Sequence, residues 1–436
     1  MIKIINKIKS KKATIGIFGL GYVGLPLALR FCQKNFKVIG FDNDIKKINS
    51  INKSKSYIKQ IPHSEIKKYR NKKFQAFSNF KKVENLDILI FCLPTPIKKN
   101  FSPELKYIKN CLKKISPRIK KGQVFINEST SYPGTTEEYF ESLFNKKNLK
   151  VGKDVHLVFS PEREDPGNSF YKLKNITKII SGKTPSCLRI AKKLYNSIVD
   201  NIYEAQSIKT AEMAKLLENI YRAVNIGLVN EIKPICERMN IDIWNVVNAA
   251  KTKPFGYQPF YPGPGVGGHC IPVDPFYLSW KAKEMNLETK FIELAAKTNE
   301  AMPKRVSRIM VKSLKHLKRK PKILIIGISY KCEVDDLRGS PGLKIIHILK
   351  KKYKCAVDYC DPFVPLLDTT KKYTVVNDYK MKSIKINYKL LNKYDAVCII
   401  TNHKYFDFKK VLKYSKRIID TRGVYTNNKS KKIIRC

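Results

Sequence analysis

Apolar positions follow two rhythms along this chain: short unbroken runs of strand length, and longer stretches recurring at helical spacing. Ala13-Thr14-Ile15-Gly16-Ile17-Phe18 is a run of the first kind, and Leu25 to Gln33 is a stretch of the second. Phe36-Lys37-Val38-Ile39-Gly40-Phe41 follows as another run. Strand, glycine-rich turn, helix and strand within about 30 residues is the layout of a parallel βαβ unit. Further runs at Asp87 to Leu93, Gly122 to Glu128 and His156 to Ser160 predict a doubly wound sheet over residues 1–200.

The first dozen residues read as a polar, basic lead-in. From Ser207 the pattern becomes that of one long helix: Ala211, Met213, Ala214, Leu216, Leu217 and Ile220 continue through Ala223 to Ile232, with Pro234 as the stop. Its broad apolar surface predicts burial between domains or in a homodimer. Helical patterns return at Asp242 to Ala250 and at Pro275 to Met285. The segment between them, Pro254 to Cys270, is too rich in Gly and Pro for helix or central strand. Runs at Lys322 to Gly327, Ala356 to Tyr359, Asp395 to Ile400 and Arg417 to Asp420 repeat the opening rhythm, without its glycine spacing. The prediction is an α/β chain: two Rossmann-like, doubly wound parallel-sheet domains joined by a long-helix middle domain. The expected divisions are 1–205, 206–305 and 306–436.

Length agrees, since 436 residues exceed the ~250–300 at which a single core stops growing. The net charge of +50, from 86 Lys and Arg against 36 Asp and Glu, raises polyanion binding as a distant alternative. The lysines are spread from end to end, however, and no nucleic-acid-binding signature accompanies them. The charge therefore reads as a compositional bias at solvated positions, with no specific nucleic acid as partner. Eleven cysteines without CxxC pairs predict neither a metal site nor a disulfide framework. No secretory pattern and no apolar stretch near ~20 residues is visible, so a cytoplasmic chain without membrane contact is expected.

Three features carry chemistry. Gly19-Leu20-Gly21-Tyr22-Val23-Gly24, between strand and helix, has the spacing that lets a backbone approach a pyrophosphate at a helix N-terminus. Asp42, closing the next strand, accepts a ribose 2′-hydroxyl and repels a 2′-phosphate, favouring NAD over NADP. Lys47 reads equally as an adenosine neighbour or a solvated lysine. The second feature is Gly267-Gly268-His269-Cys270-Ile271-Pro272-Val273-Asp274, preceded by Gly265. Its glycines let the backbone approach a ligand, the thiol is a candidate nucleophile, and Asp274 could orient a water beside it. A Cys–His dyad is the weaker reading, because adjacent loop residues need not face each other. Third, Lys215 and Asn219 stand four apart on the long helix, on a face shared with Ala211 and Ala223. They read as a snorkelling lysine or as buried donors to a developing oxyanion.

Together these motifs resemble the UDP-glucose/GDP-mannose dehydrogenase superfamily from about Thr14 to Gly423. The resemblance includes Leu93-Pro94-Thr95-Pro96, Ser129-Thr130, Ser160-Pro161-Glu162-Arg163, Lys331, Arg338-Gly339-Ser340-Pro341 and Asp420-Thr421-Arg422. It implies four-electron oxidation of a UDP-sugar C6 hydroxyl, with Cys270 attacking the intermediate aldehyde. Lys215, Asn219 and a water held by Asp274 would stabilise the oxyanions, and Glu162 and Thr130 would position or activate water. Tyr22, Val23, Asp42, Lys47, Thr95, Thr130 and Arg338 match cofactor contacts. Glu162, Arg163, Lys215, Asn219, Tyr261, Gly267, Lys331 and Arg422 match substrate positions.

This chain carries Pro166 where UDP-glucose enzymes carry a second Glu, leaving Glu164 as the local substitute for a hydrolytic base. With Phe260-Tyr261-Pro262-Gly263-Pro264-Gly265, this resembles the branch acting on UDP-N-acetylhexosamines. UDP-N-acetylglucosamine, oxidised for surface polysaccharide, is the first expectation. UDP-glucose, UDP-N-acetylgalactosamine and UDP-N-acetylmannosamine are the sibling alternatives.

Overall fold

Parallel strands covered on both faces are rich in apolar side chains, and every predicted run carries a strand in the computed structural model. The structure adds strands at Phe74–Phe77, Lys178–Gly182, Ile202–Glu204, Leu366–Asp368, Lys380–Lys382 and Ile433–Arg435 that the runs did not announce. It describes residues 1–98, 100–164, 170–369 and 379–436, so Pro166 lies outside the described residues. The chain divides into two units, Met1–Glu218 and Asn219–Cys436. The first holds β1 (Thr14–Phe18), β2 (Lys37–Phe41), β3 (Phe74–Phe77), β4 (Ile88–Phe91), β5 (Val124–Asn127), β6 (His156–Phe159), β7 (Lys178–Gly182) and β8 (Ile202–Glu204). They form one sheet in the order β3-β2-β1-β4-β5-β6-β7-β8. β6 and β7 pair antiparallel, whereas the other pairs are parallel. Strand order reverses between β1 and β4, so a crevice opens at the carboxyl ends of these strands, where such sheets bind ligands.

The polar lead-in is a correction, because Ile2–Lys9 is a helix. Ile4 and Ile8, four residues apart, share a face and are buried in the first unit's core, while Lys7 between them pairs with Asp87 at 2.6 Å and Lys3 and Lys9 remain in solvent. The stop at Pro234 is another. The long helix runs Ile208–Arg238 with Pro234 inside it. Proline withdraws a single N–H from the ladder, and Cys236 packs the last turn against Ile243, Trp244 and Val247.

The second unit contains β9 (Lys322–Ile326), β10 (Ala356–Cys360), β11 (Leu366–Asp368), β12 (Lys380–Lys382), β13 (Ala396–Ile399), β14 (Ile418–Asp420) and β15 (Ile433–Arg435). Five of these form a parallel sheet in the order β10-β9-β13-β14-β15. The expected helices are present at Ile243–Ala250 and Asp274–Glu284, and Lys290–Ser313 follows. No helix among the described residues is long and apolar enough to cross a membrane.

The start of the long helix is tied down by Glu212, which is buried. Its carboxylate accepts from the N–H of Gly134 at 2.5 Å, the N–H of Thr136 at 3.0 Å and the Thr136 hydroxyl at 2.7 Å. Burial outweighs these bonds and pushes the carboxyl from its ordinary 4.5 up to about 7. Between those values the folded chain keeps a proton that the unfolded chain has released. Stability therefore falls as pH rises through that window, by at most about 3 kcal/mol, and this contribution is level on either side. In Glu212→Gln the titration is gone, so the melting temperature of the variant relative to wild type should be higher at pH 8 than at pH 5. Parallel melting curves across that range would refute the assignment.

Candidate active site

The first glycine turn is dictated by close approaches. Gly19 adopts φ +93° and donates its N–H to the Phe41 carbonyl at 2.7 Å, and a Cβ there would stand 2.4 Å from the Cys92 carbonyl oxygen. A Cβ on Gly24 would meet the Gly19 oxygen at 1.8 Å, whereas Gly21 has nothing within 4 Å of its missing Cβ. Two glycines therefore serve the turn itself, and the middle one leaves open space in which a phosphate fits. Tyr22 and Val23, half-buried, lead into the helix Gly24–Gln33.

Asp42 accepts from Leu20 N–H at 2.9 Å, Asp44 N–H at 2.9 Å and the Lys47 ammonium at 3.0 Å. Of the roughly four lone-pair directions of a carboxylate, one remains for a ribose hydroxyl. Lys47 is thus a partner of Asp42 rather than a solvated lysine. Thr95 is buried and donates to the Thr130 carbonyl at 2.7 Å, joining the loops after β4 and β5. These groups fit an NAD molecule laid across the strand ends.

At the far end of the same edge lies a cluster that the sequence did not reveal. The antiparallel register sets Val158 opposite Gly182 and Phe159 opposite Ser181. Continued past the strand, it carries Glu162 opposite Lys178. Lys178 is 2% exposed, and its ammonium lies 3.1 Å from both Glu128 and Glu162. Tyr195 donates to the other oxygen of Glu128. Glu162 Oε1 accepts from the N–H groups of Arg163 and Glu164, each at 2.6 Å. Burial opposes ionisation of Glu162, but Lys178 and those N–H groups outweigh it and hold its carboxyl below the usual range. Burial and the charge of Glu162 push Glu164 up to about 7. Arg163 pairs with Glu218 at 2.7 Å and donates to the Thr177 carbonyl. The only sequence signal for Lys178 is a lysine opening an apolar run, which a lysine-rich chain disguises.

Lys215 is 9% exposed, so the snorkelling alternative is set aside. Asn219, also buried, donates to Asp274 Oδ2 at 2.6 Å. Asp274, 2% exposed, opens the helix Asp274–Glu284, and its N–H donates to the Cys270 carbonyl at 2.8 Å. Cys270 is exposed, unlike the cysteines set in apolar strands.

The glycines before Cys270 also permit a close approach within the protein. A Cβ on Gly267 would meet Tyr330 Cβ at 2.7 Å and the Gly339 oxygen at 3.0 Å. Gly268, at φ +88°, would meet the Tyr330 ring at 3.0 Å, and Gly265 would meet Pro303 at 3.2 Å. Gly268 N–H also donates to the Arg338 carbonyl at 2.7 Å. Burial opposes the Arg338 charge, but Asp336, then Tyr330 and Cys270, raise its pKa above the ordinary value. Burial, then Arg338, lowers the His269 imidazole to about 4. Neutral at physiological pH, it supplies no cation for a Cys–His ion pair.

Arg422 donates to the Ile400 carbonyl at 2.6 Å, and its guanidinium would lie 3.0 Å from a Cβ on Gly263. The Gly263 N–H donates to Asn230, whose amide in turn donates to Asn299. Tyr261 is exposed and donates to Asn248 at 2.8 Å, and Lys331 is half-buried after β9.

The turn after β9 repeats the turn after β1 in detail. Gly327, at φ +72°, donates to the Cys360 carbonyl at 2.9 Å, and Asp361 accepts from Ile328 N–H at 2.7 Å. Here the carboxylate is also filled by Ser329, Phe363 and Val364 N–H groups and by buried His403 at 3.2 Å. It has no lone pair left for a ribose.

Known proteins agree with this division of labour. The UDP-glucose/GDP-mannose dehydrogenase family matches through its NAD binding domain at residues 13–199, its central domain at 209–301 and its UDP binding domain at 324–427. A UDP-N-acetyl-D-glucosamine 6-dehydrogenase of Salmonella typhi is 34% identical, with 90% of each chain covered. An NDP-N-acetyl-D-galactosaminuronic acid dehydrogenase of Ralstonia solanacearum is 30% identical over 95% of this chain and 96% of that one. The solved structure of a UDP-D-ManNAc dehydrogenase from Pyrococcus horikoshii superposes with a TM-score of 0.83 at 29% identity, covering 95% and 96% of the two chains. With its three parts matched in order, the chain belongs to the UDP-glucose/GDP-mannose dehydrogenase family and is an NAD-dependent enzyme that oxidises a UDP-sugar.

Proposed function

We propose that this enzyme oxidises the C6 hydroxyl of a UDP-N-acetylhexosamine, first of all UDP-N-acetylglucosamine, to the uronate in two steps through Cys270. The observation that carries the reading is an exposed thiol just ahead of a helix whose first carboxylate, Asp274, is buried and held by Asn219 at 2.6 Å. NAD, held at the glycine turn and Asp42, would supply the hydride acceptor, one molecule for each step. The Cys270 thiolate adds to the C6 aldehyde, forming a C–S bond and a thiohemiacetal oxygen. Loss of the second hydride leaves a thioester, which water cleaves to the acid and the free thiol. Lys215 and Asn219 donate to the developing oxyanion, Asp274 keeps a water in place, and Thr130 and Glu162 orient the hydrolytic water. Lys331 and Arg422 supply charge for the diphosphate, and Tyr261 and Gly267 line the sugar. Arg338 completes the cofactor contacts.

The choice of sugar is supported by the Salmonella typhi relative. The Pyrococcus horikoshii and Ralstonia solanacearum proteins, named for mannosamine and galactosaminuronic acid, favour the sibling substrates. The uronate would serve surface polysaccharide, made in the cytoplasm where NAD and UDP-sugars meet. Leu217, Tyr221, Leu228 and Ile235 stand exposed along the long helix, with Met239 just past its end, and suit a homodimer.

A panel of purified UDP-sugars should yield close to two NADH per sugar with the true substrate. A yield of one would replace this reading with a simple alcohol dehydrogenase. Cys270→Ser should lose more than about 10³-fold in turnover while still binding NAD, and retained turnover would eliminate the covalent route. Asp42→Ala should raise KM for NAD by roughly tenfold, the worth of a charge-assisted bond, and narrow the preference over NADP. An unchanged preference would remove Asp42 from the ribose. Sedimentation should give twice the chain mass at micromolar concentration, and Leu228→Glu with Ile235→Glu should halve it; a monomeric wild type would rule the dimer out.

A further inference from the structure

A lysine with 2% exposure between two carboxylates is expensive to keep, because an apolar trio of the same volume is often at least as stable. Its retention calls for a role other than stability. Lys178 bonds Glu162 Oε2, while two backbone N–H groups bond Oε1, so the carboxylate is held at both ends and cannot rotate. The Glu162 side chain is nevertheless 13% exposed, leaving one edge open at the carboxyl ends of the strands.

We propose that Lys178 is a positioning residue of the oxidation, fixing the Glu162 carboxylate as an oriented acceptor for the water that cleaves the thioester, with Glu128 and Tyr195 holding Lys178 in place. The inference rests on Glu162 acting on that water. In this role Lys178 touches neither sugar nor cofactor. Its ammonium and the N–H groups of Arg163 and Glu164 offset the burial of Glu162, so the carboxylate can accept a hydrogen bond without first losing a proton. Among the described residues, the groups facing this cluster are Glu128 after β5, Cys92 after β4, Tyr195 on the helix Pro185–Tyr195, and Glu164 on the same loop. Lys178 is the cation among them. Arg163, the next residue, is turned away to Glu218.

The test uses the full-length enzyme with NAD and the UDP-sugar that wild type turns over, and it records kcat and both KM values from pH 3.5 to 9. Lys178→Gln should lower kcat at least tenfold, leave both KM values within about threefold, and move the acid limb of kcat up by a pH unit or more. Lys178→Arg, which keeps the cation, should restore most of kcat and return the limb. Glu128→Gln leaves Lys178 with Glu162 as its sole carboxylate partner among the described residues, so it should move the limb the opposite way; this variant decides the matter if Lys178→Gln does not fold. An acid limb that stays put in the folded variants overturns the proposal. Glu162→Gln separates the two levels. If it destroys kcat while the limb is unmoved in the other variants, Glu162 keeps its role and Lys178 loses the one proposed. If Glu162→Gln leaves kcat intact, both fall.

Discussion

A carboxylate at the end of the second strand, accepting from an N–H in the turn after the first, is the constraint on which both halves of this molecule depend. Asp42 does this for Leu20 and Asp361 for Ile328. In each case a glycine with positive φ passes its own N–H to the carbonyl just before the acid. The turn would otherwise bury unsatisfied donors, at a cost of about 1–3 kcal/mol each. One device thus builds two sheets of the same kind, and what differs is how much of the carboxylate the protein consumes. Asp42 keeps an acceptor position, with open space at Gly21, whereas Asp361 is saturated by four N–H groups and a buried imidazole. The difference leaves an acceptor position in the turn that lies within the NAD binding domain and none in the turn ahead of Lys331.

The alternating runs of apolar residues made the fold legible, because a strand buried on both faces has no polar side and a helix cannot hide its period. The cofactor turn was legible for a related reason: three glycines at fixed spacing have few other uses between a strand and a helix. What escaped was everything decided by distant neighbours. Ile4 and Ile8 look like scattered residues in a lysine-rich leader until the core they cover is present. Pro234 reads as a stop because its local cost is visible and the packing of Cys236 that offsets it is not.

The candidate site was legible as residue types and less so as contacts. Cys270, Asp274 and Asn219 stood out by spacing, and the Asn219–Asp274 bond joins two of them. The glycines around them have a protein neighbour that the sequence did not reveal. Gly267 and Gly268 are needed because Tyr330 and Gly339 lie against them, so they lock the thiol's loop onto the parallel sheet that begins with β9. A glycine marks a close approach, but sequence does not say whether the approaching group is a ligand or the protein's own ring. Lys178 was hidden by abundance: among so many solvated lysines, a buried one differs only in the apolar residues that follow it.

The two glutamates of the Ser160–Glu164 loop show how position within a few ångströms assigns different work to the same functional group. Glu162 has a cation and two N–H donors, so its carboxyl stays ionised throughout the physiological range despite burial. Glu164 accepts from Leu173 N–H at 2.6 Å, and burial together with the neighbouring negative charge pushes it up to about 7. A group fixed as an acceptor is suited to aiming a water, whereas one poised near neutrality is suited to carrying the proton away. The thioester hydrolysis proposed for this enzyme would require both acts. On that proposal Glu164, two residues after Glu162, would stand in for the second glutamate that this chain lacks four residues on.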